Sequence, residues 1–487
     1  MRIKKVVFSF LFLILSVSLW SQEKIKNVIV MIPDGCSISL VSLSRYYEQW
    51  RTGDPNFSLA IDPYFCGLVR STCSNAPIGD SAPTGSCYFN GQPAQKGNIG
   101  IYPQKTDQDL YEIDSSRAYF PLATLMEVAK LEGKSTGIVA TSQFTHATPA
   151  STSAHYYDRN AEEIIAKQMV YNHIDVVLAG GTKYLQPHIE YLTSRGYDIV
   201  RTKEELNQTQ SLKYWGVFDS INIPYFIDQK DGEFPSLAEM TQKAIETLSQ
   251  NDQGFFLMVE GSLIDWAMHN LDAKTGILEY LEFDKAVDVA IQFAIADQHT
   301  LVVIVPDHGT SGISIGGKNT NSGYAKKSLD QFFQPFEDQD HALTKKDILL
   351  RAKLELTSLI SFTTFGHTGE DLLLAIYHPN QKVAMGHCRN YEITEYIVKE
   401  LRWNQLLNKT TESIYKPHYQ VYNHLTPTIY DQDLLSPTLT YKDKRNQITY
   451  YGNTNYAIKN GEIIEFESVI IYIDKIKTFF IPNQRQM

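Results

Sequence analysis

Residues 25–34 read IKNVIVMIPD, an apolar run from Val28 to Ile32 that stops at Pro33-Asp34. Two later stretches repeat the pattern: FFLMV at 255–259 runs into Glu260, and TLVVIVP at 300–306 runs into Asp307-His308. Short runs without polar alternation fit strands buried on both faces of a parallel sheet. Such sheets gather ligands and catalytic groups at the C-terminal ends of their strands. Asp34, Glu260, Asp307 and His308 stand at those ends.

Further apolar runs occur at Gly137–Ala140, Ile174–Ala179 and Leu372–Tyr377. Leu237, Ala244, Ile245 and Leu248 repeat at helical spacing before one run, and Phe283, Ala286, Val287, Ala290 and Ala294 before another. The alternation predicts an α/β fold, a mostly parallel central sheet with helices on both faces. An insertion between His308 and His367, at about 310–362, interrupts it. It opens GGKNTNSGYAKK and continues with a predicted helix over KKDILLRAKLELTSLI; a lid, a dimer contact and a plain surface insertion all fit. After Trp403 the chain turns rich in Tyr, Asn and Thr. YAIKNGEIIEF reads as a hairpin turning at Asn460-Gly461, and SVIIYIDKI as a strand. The expected organisation is a signal peptide at 1–21, a catalytic domain at 22–405 and a structural β-rich extension at 406–487.

Arg2, Lys4 and Lys5 precede the apolar run Val6–Trp20, after which Ser21-Gln22-Glu23 begins polar sequence. That is the layout of a secretory signal peptide, and the run is shorter than the ~20 residues of a membrane span. The protein is expected to be exported, periplasmic or secreted, without a stable membrane anchor. Loss of those three basic residues takes the formal net charge from −11 to −14. Such an acidic chain is not expected to carry a nucleic-acid-binding surface. Of the five cysteines, Cys66, Cys73 and Cys87 leave a bridge open, with the pairing undetermined. Cys36, two residues after Asp34 and near an expected helix start, reads as a small packing residue.

The donors sort into three groups. Asp265 and His269 are four apart and share one face of a helix, and His367 completes a three-ligand site with an open position, as catalytic zinc needs. Asp34, Asp307 and His308 make a second mixed oxygen and nitrogen set. Glu260, Thr148 and the other oxygen of Asp34 make an all-oxygen set suited to magnesium. Two zinc ions about 4 Å apart stabilise the attacking and leaving oxygens of an in-line displacement. In Asp80-Ser81-Ala82-Pro83, Ser81 stands where a loop enters a helix, placed to act as nucleophile, with backbone N–H groups for phosphoryl oxygens; taken alone it also fits an ordinary helix cap. Arg159 brings a planar fork for two phosphoryl oxygens.

The order and spacing of PDG (33–35), DSA (80–82), HATPA…DR (146–159), AGGTKYL (179–185), EGSLIDWAMH (260–269), PDH (306–308) and GHTGED (366–371) resemble the alkaline phosphatase family, from about Asn27 to Trp403. The resemblance implies a homodimeric, exported phosphomonoesterase with two zinc ions and one magnesium ion per subunit. It implies Asp265, His269 and His367 at the first zinc, Asp34, Asp307 and His308 at the second, and Asp34, Thr148 and Glu260 at magnesium. Ser81 matches the nucleophile and Arg159 the phosphate clamp. His146 stands where one branch of the family has Asp and another His, and Trp266 where Lys or His is frequent. Both are expected beside the ligands. An imidazole near the third ion softens that site toward zinc, and Trp266 brings no positive charge to hold phosphate.

The expected reaction is hydrolysis of small phosphate monoesters through a phosphoserine, with broad specificity and an alkaline optimum. The alternatives are a sulfatase or phosphodiesterase of the same superfamily, or a non-catalytic phosphate-binding homologue. Sulfatases that mature a Ser or Cys need an Arg two residues after the proline of C/S-x-P-x-R; here Ser81-Ala82-Pro83-Thr84 is followed by Gly85. Diesterases of the superfamily generally lack the third metal site, for which Glu260 and Thr148 are present.

Overall fold

The computed structural model describes residues 24–483 apart from 231, 317–327, 345, 348–359, 382, 384 and 423–424. The expected signal peptide and most of the insertion's expected helix lie outside the described residues. Among the described residues, no helix is long and apolar enough to cross a membrane.

The main sheet uses β1 (Asn27–Pro33), β2 (Phe65–Arg70), β3 (Ser135–Gln143), β4 (Val176–Gly180), β5 (Asp198–Val200), β6 (Tyr214–Val217), β7 (Phe255–Gly261), β8 (Thr300–Ile304), β9 (Leu372–Tyr377) and β10 (Gly386–Arg389). Their order is β10-β2-β9-β8-β1-β7-β3-β4-β6-β5. Strand β1 lies between β7 and β8, parallel to both, and β3 joins β7 in the same sense. Pairing Ile32 with Glu260 and Ala140 with Glu260 brings the C-terminal ends of these strands level. Strand β9 departs from the parallel pattern: it runs antiparallel to both β2 and β8. Its apolar composition records burial and carries no direction.

Side chains alternate across the sheet as the strand period of two requires. Val28, Val30 and Ile32 enter one core with Tyr88 and Phe89, whereas Ile29 and Met31 enter another with Phe283 and Val287. Helices therefore cover both faces, Ser81–Asn90 and Asn390–Glu400 on one and Leu237–Leu248 and Ala273–Asp297 on the other. All ten residues of Ser81–Asn90 are buried.

Beyond residue 415, β11 (Lys416–Pro417), β12 (Thr428–Tyr430), β13 (Thr438–Lys442), β14 (Gln447–Tyr451), β15 (Thr454–Lys459), β16 (Glu462–Ile473) and β17 (Thr478–Ile481) form an antiparallel sheet ordered β11-β17-β16-β15-β14-β13-β12. The β15–β16 hairpin turns at Asn460 and Gly461, with φ of 53° and 92°. Positive φ at both residues is the two-residue turn that an Asn-Gly pair favours. One face of this sheet packs on the main fold: Ile414, Tyr415, Val469, Ile471, Ile473 and Phe480 share a core with Ile101, Ala123, Tyr156 and Ile164. All five cysteines are free thiols. Cys36 lies two residues before the helix Ile38–Thr52 and is fully buried, and burial pushes its thiol far up, as suits a packing residue.

Candidate active site

Four adjacent strands, β8-β1-β7-β3, deliver the candidate residues to one edge of the sheet. Asp34 directly follows β1, Glu260 is the last residue but one of β7, and Asp307-His308 follow β8 by two residues. The loop after β3 carries His146 and then Thr148 in the short helix Ala147–Ala150. Gly35 has φ 65°, and a Cβ there would come within 2.5 Å of Asp265 Oδ1. Only glycine permits this turn and this approach of the β1 loop to the helix Leu263–His269.

The carboxylates are sunk. Asp34, Glu260 and Asp307 have no exposed surface and Asp265 is 4% exposed. Burial, then the charges of Asp307, Asp265 and Glu260, pushes the Asp34 carboxyl far above its usual range. Burial likewise pushes Glu260 up to about 7. For Asp265 burial acts in the same direction, but the neighbouring imidazoles of His269, His308 and His367 outweigh it and hold the carboxyl well below the ordinary range.

The imidazoles share one orientation. His269 Nδ1 donates to the Phe365 carbonyl and His367 Nδ1 to the Gly79 carbonyl at 2.9 Å. His308 Nδ1 lies 3.3 Å from both the Gly309 carbonyl and Thr310 Oγ1. With Nδ1 engaged, each Nε2 keeps its lone pair for a ligand, the usual arrangement of metal-binding histidine. These nitrogens converge. His367 Nε2 is 3.1 Å from His269 Nε2, which is 3.3 Å from Asp265 Oδ2. His308 Nε2 is 3.4 Å from Asp34 Oδ1 and 3.3 Å from Asp307 Oδ2. The rings of His308 and His367 stack at 3.7 Å.

Buried oxygens without a hydrogen-bond partner mark the same place: both of Asp34, Asp307 Oδ2, Glu260 Oε1 and Thr148 Oγ1. Unpaired buried oxygens and facing lone pairs are costly unless cations sit among them. The donor set fits such ions. Ligand atoms within 4.8 Å of one another come from Asp265, His308 and His367, from Asp34, Asp307 and His308, and from Asp34, His146 and Glu260. The first set places His308 beside the expected first group, between the two mixed clusters. The third brings His146 closer than expected, within ligand reach and no longer merely beside it.

Ser81 opens its helix with Asp80 as N-cap and is 2% exposed. Its Oγ lies 3.2 Å from His308 Nε2. Arg159 reaches in from the loop after residue 157, with Nη1 3.1 Å from Asp80 Oδ1 and Nη2 donating to His146 Nε2 at 3.0 Å. The Trp266 ring meets the edge of His146 with centroids 5.5 Å apart. Burial, then Arg159, lowers the His146 imidazole to about 3.

Several supporting groups were not singled out from sequence. Asp80 holds Arg159. Thr310 Oγ1 donates to Asp265 Oδ1, and Ser262 Oγ to Glu260 Oε2 at 2.6 Å. Of these only Asp80 and Ser262 fall inside the DSA and EGSLIDWAMH motifs, so adjacency to a motif was the one signal they carried.

A family model described as alkaline phosphatase matches residues 25–403. Alkaline phosphatase 3 of Bacillus subtilis is 32% identical over 438 residues, covering 80% of this chain and 91% of that protein. The solved cold-active alkaline phosphatase of a psychrophilic Shewanella superposes with a TM-score of 0.64 at 28% identity, covering 77% of this chain and 99% of that one. The alkaline phosphatase of the Antarctic bacterium TAB5 gives 0.61 at 26%, covering 79% and 100%. A histidine-to-aspartate variant of that enzyme has been solved with magnesium in its M3 site.

Proposed function

The chain belongs to the alkaline phosphatase family and is a phosphomonoester hydrolase, and from that premise we propose that it works through a phosphoserine at Ser81 beside two zinc ions and one further ion. The observation that carries this reading is the 3.2 Å approach of Ser81 Oγ to His308, at the centre of the converging Nε2 and carboxylate atoms.

Asp265, His269 and His367 would hold one zinc ion and Asp34, Asp307 and His308 the second. Asp34, Thr148 and Glu260 would hold magnesium, or zinc if His146 joins them. The buried carboxylates alone would repel a phosphate dianion. When bound, the cations supply the charge neutralisation and Lewis acidity that the attacking and leaving oxygens require.

This chain's own groups supply the rest. Ser81 Oγ gives up its proton and attacks phosphorus as the P–O bond to the alcohol breaks, the departing oxygen taking up a proton to leave as the alcohol. Water then attacks the phosphoserine, one of its protons restoring the Ser81 hydroxyl as inorganic phosphate is released. The N-terminus of the helix Ser81–Asn90 offers N–H groups and a favourable dipole to phosphoryl oxygens. Arg159 clamps two of those oxygens, held in place by Asp80. The alcohol group is left outside, so specificity is broad, and the pH optimum is alkaline. The enzyme acts as an exported homodimer. Turnover of a monoester, a diester and a sulfate ester at alkaline pH, with and without chelator, tests the assignment. Monoester activity lost on chelation is expected; preference for either other ester would overturn it.

A further inference from the structure

Arg159 is the group that meets phosphate, yet the side chains of the residues leading to it are held in part by residues beyond the span matched by the family model, which ends at residue 403, while the backbone there pairs with Ile99 inside that span. Residues 155–157 are gripped in sequence. The Tyr415 hydroxyl lies 2.6 Å from His155 Nε2 and donates to Glu127, while His155 Nδ1 donates to the Gly100 carbonyl at 2.8 Å. Gln168 accepts from the His155 backbone N–H at 2.7 Å and donates to Asn453 Oδ1 at 3.0 Å. The hydroxyls of Tyr156 and Tyr157 donate to the two oxygens of the Asp474 carboxylate, each at 2.9 Å. Lys475 Nζ lies 4.0 Å from the centre of the Tyr157 ring.

The far side of Arg159 is tied to the loop between β12 and β13 of the C-terminal sheet. Lys167, in the helix Glu162–Tyr171, donates to the Leu435 carbonyl at 2.8 Å. Tyr415, Leu435, Asn453 and Asp474 therefore bracket the turn that carries Arg159. Only Asp158 stands between the Asp474-bound Tyr157 and Arg159. A carboxylate accepting from two adjacent tyrosines fixes their hydroxyls in one arrangement, because both oxygens are used at once.

We propose that the C-terminal sheet is a positioning element for phosphate binding, with Asp474 as its key residue, acting through Tyr156-Tyr157 on Arg159. The inference rests on Arg159 being the phosphate clamp. Asp474 never meets substrate. It narrows the range of positions open to the guanidinium before phosphate arrives, so its loss weakens binding of the phosphoryl group more than it slows the chemistry.

The test is a kinetic cycle on the full, metal-loaded chain with a chromogenic monoester and inorganic phosphate. Asp474→Ala should raise KM and the inhibition constant for phosphate together, by about three- to tenfold, with kcat changed less than about twofold. Tyr157→Phe, which keeps the ring against Lys475, should give a smaller shift of the same kind. Arg159→Ala should raise both constants by itself, and adding Asp474→Ala to it should cause no further change. Leu439→Ala, in the core of the C-terminal sheet and outside the cluster that holds Tyr156, should lower the melting temperature without moving KM. Equal effects of Asp474→Ala with and without Arg159, or a KM shift matched by Leu439→Ala, would overturn the proposal. If Arg159→Ala weakens phosphate binding and neither Asp474→Ala nor Tyr157→Phe does, only this inference falls. If Arg159→Ala leaves phosphate binding unchanged, the clamp assignment falls with it.

Discussion

The Nε2 atoms of His269 and His367 face each other across 3.1 Å while both Nδ1 atoms are engaged by backbone carbonyls. Two lone pairs at that separation repel unless a cation or proton lies between them. Dialysed protein should therefore carry about two zinc ions per chain, with a third ion held by the oxygen-rich group. Elemental analysis checks the count; chelation should abolish activity and zinc should restore it.

Glu260 predicts a pH-dependent cost in the metal-free protein. Its carboxyl is raised to about 7 by burial, above its ordinary value. The folded state then holds the proton more tightly than the unfolded one, so this contribution to stability is present at low pH and lost as pH rises through about 7. Glu260→Gln mimics the protonated form. It should raise the melting temperature of chelated protein at about pH 8 and give little advantage near pH 5. An equal difference at both would contradict the raised carboxyl.

His146→Asp exchanges a soft nitrogen for a hard oxygen within ligand reach of Asp34 and Glu260. Magnesium should then bind more tightly relative to zinc, seen as stronger magnesium activation and directly in competitive metal titrations.

Trp266→Lys places a positive charge where an aromatic ring now meets His146. The inhibition constant for phosphate should fall by roughly fivefold, about the size of a 1 kcal/mol charge interaction. If release limits turnover, kcat should fall with it.

The strand ends were legible in the sequence because a carboxylate or imidazole closing an apolar run contributes little to packing in a doubly covered sheet. Asp34, Glu260, Asp307 and His308 stood out in that way. His367 was expected at the end of an apolar run like the others; it stands instead ahead of β9, in the two-residue strand His367–Thr368 paired with Gly309–Thr310, too short for any periodic signal. The antiparallel course of Leu372–Tyr377 was equally hidden. His146 was expected beside the third site; its ligand reach depends on a loop path that spacing does not encode. The grip of Asp474 on Tyr156 and Tyr157 spans more than three hundred residues of chain. Nothing local marks either partner.

The mechanism turns on Ser81 carrying the phosphoryl group. Metal-loaded protein quenched in acid during turnover of a labelled monoester should show phosphate on Ser81. Ser81→Ala should show none, with kcat reduced by at least about a thousandfold and metal content intact. Label on another residue, or full turnover by Ser81→Ala, would contradict the account.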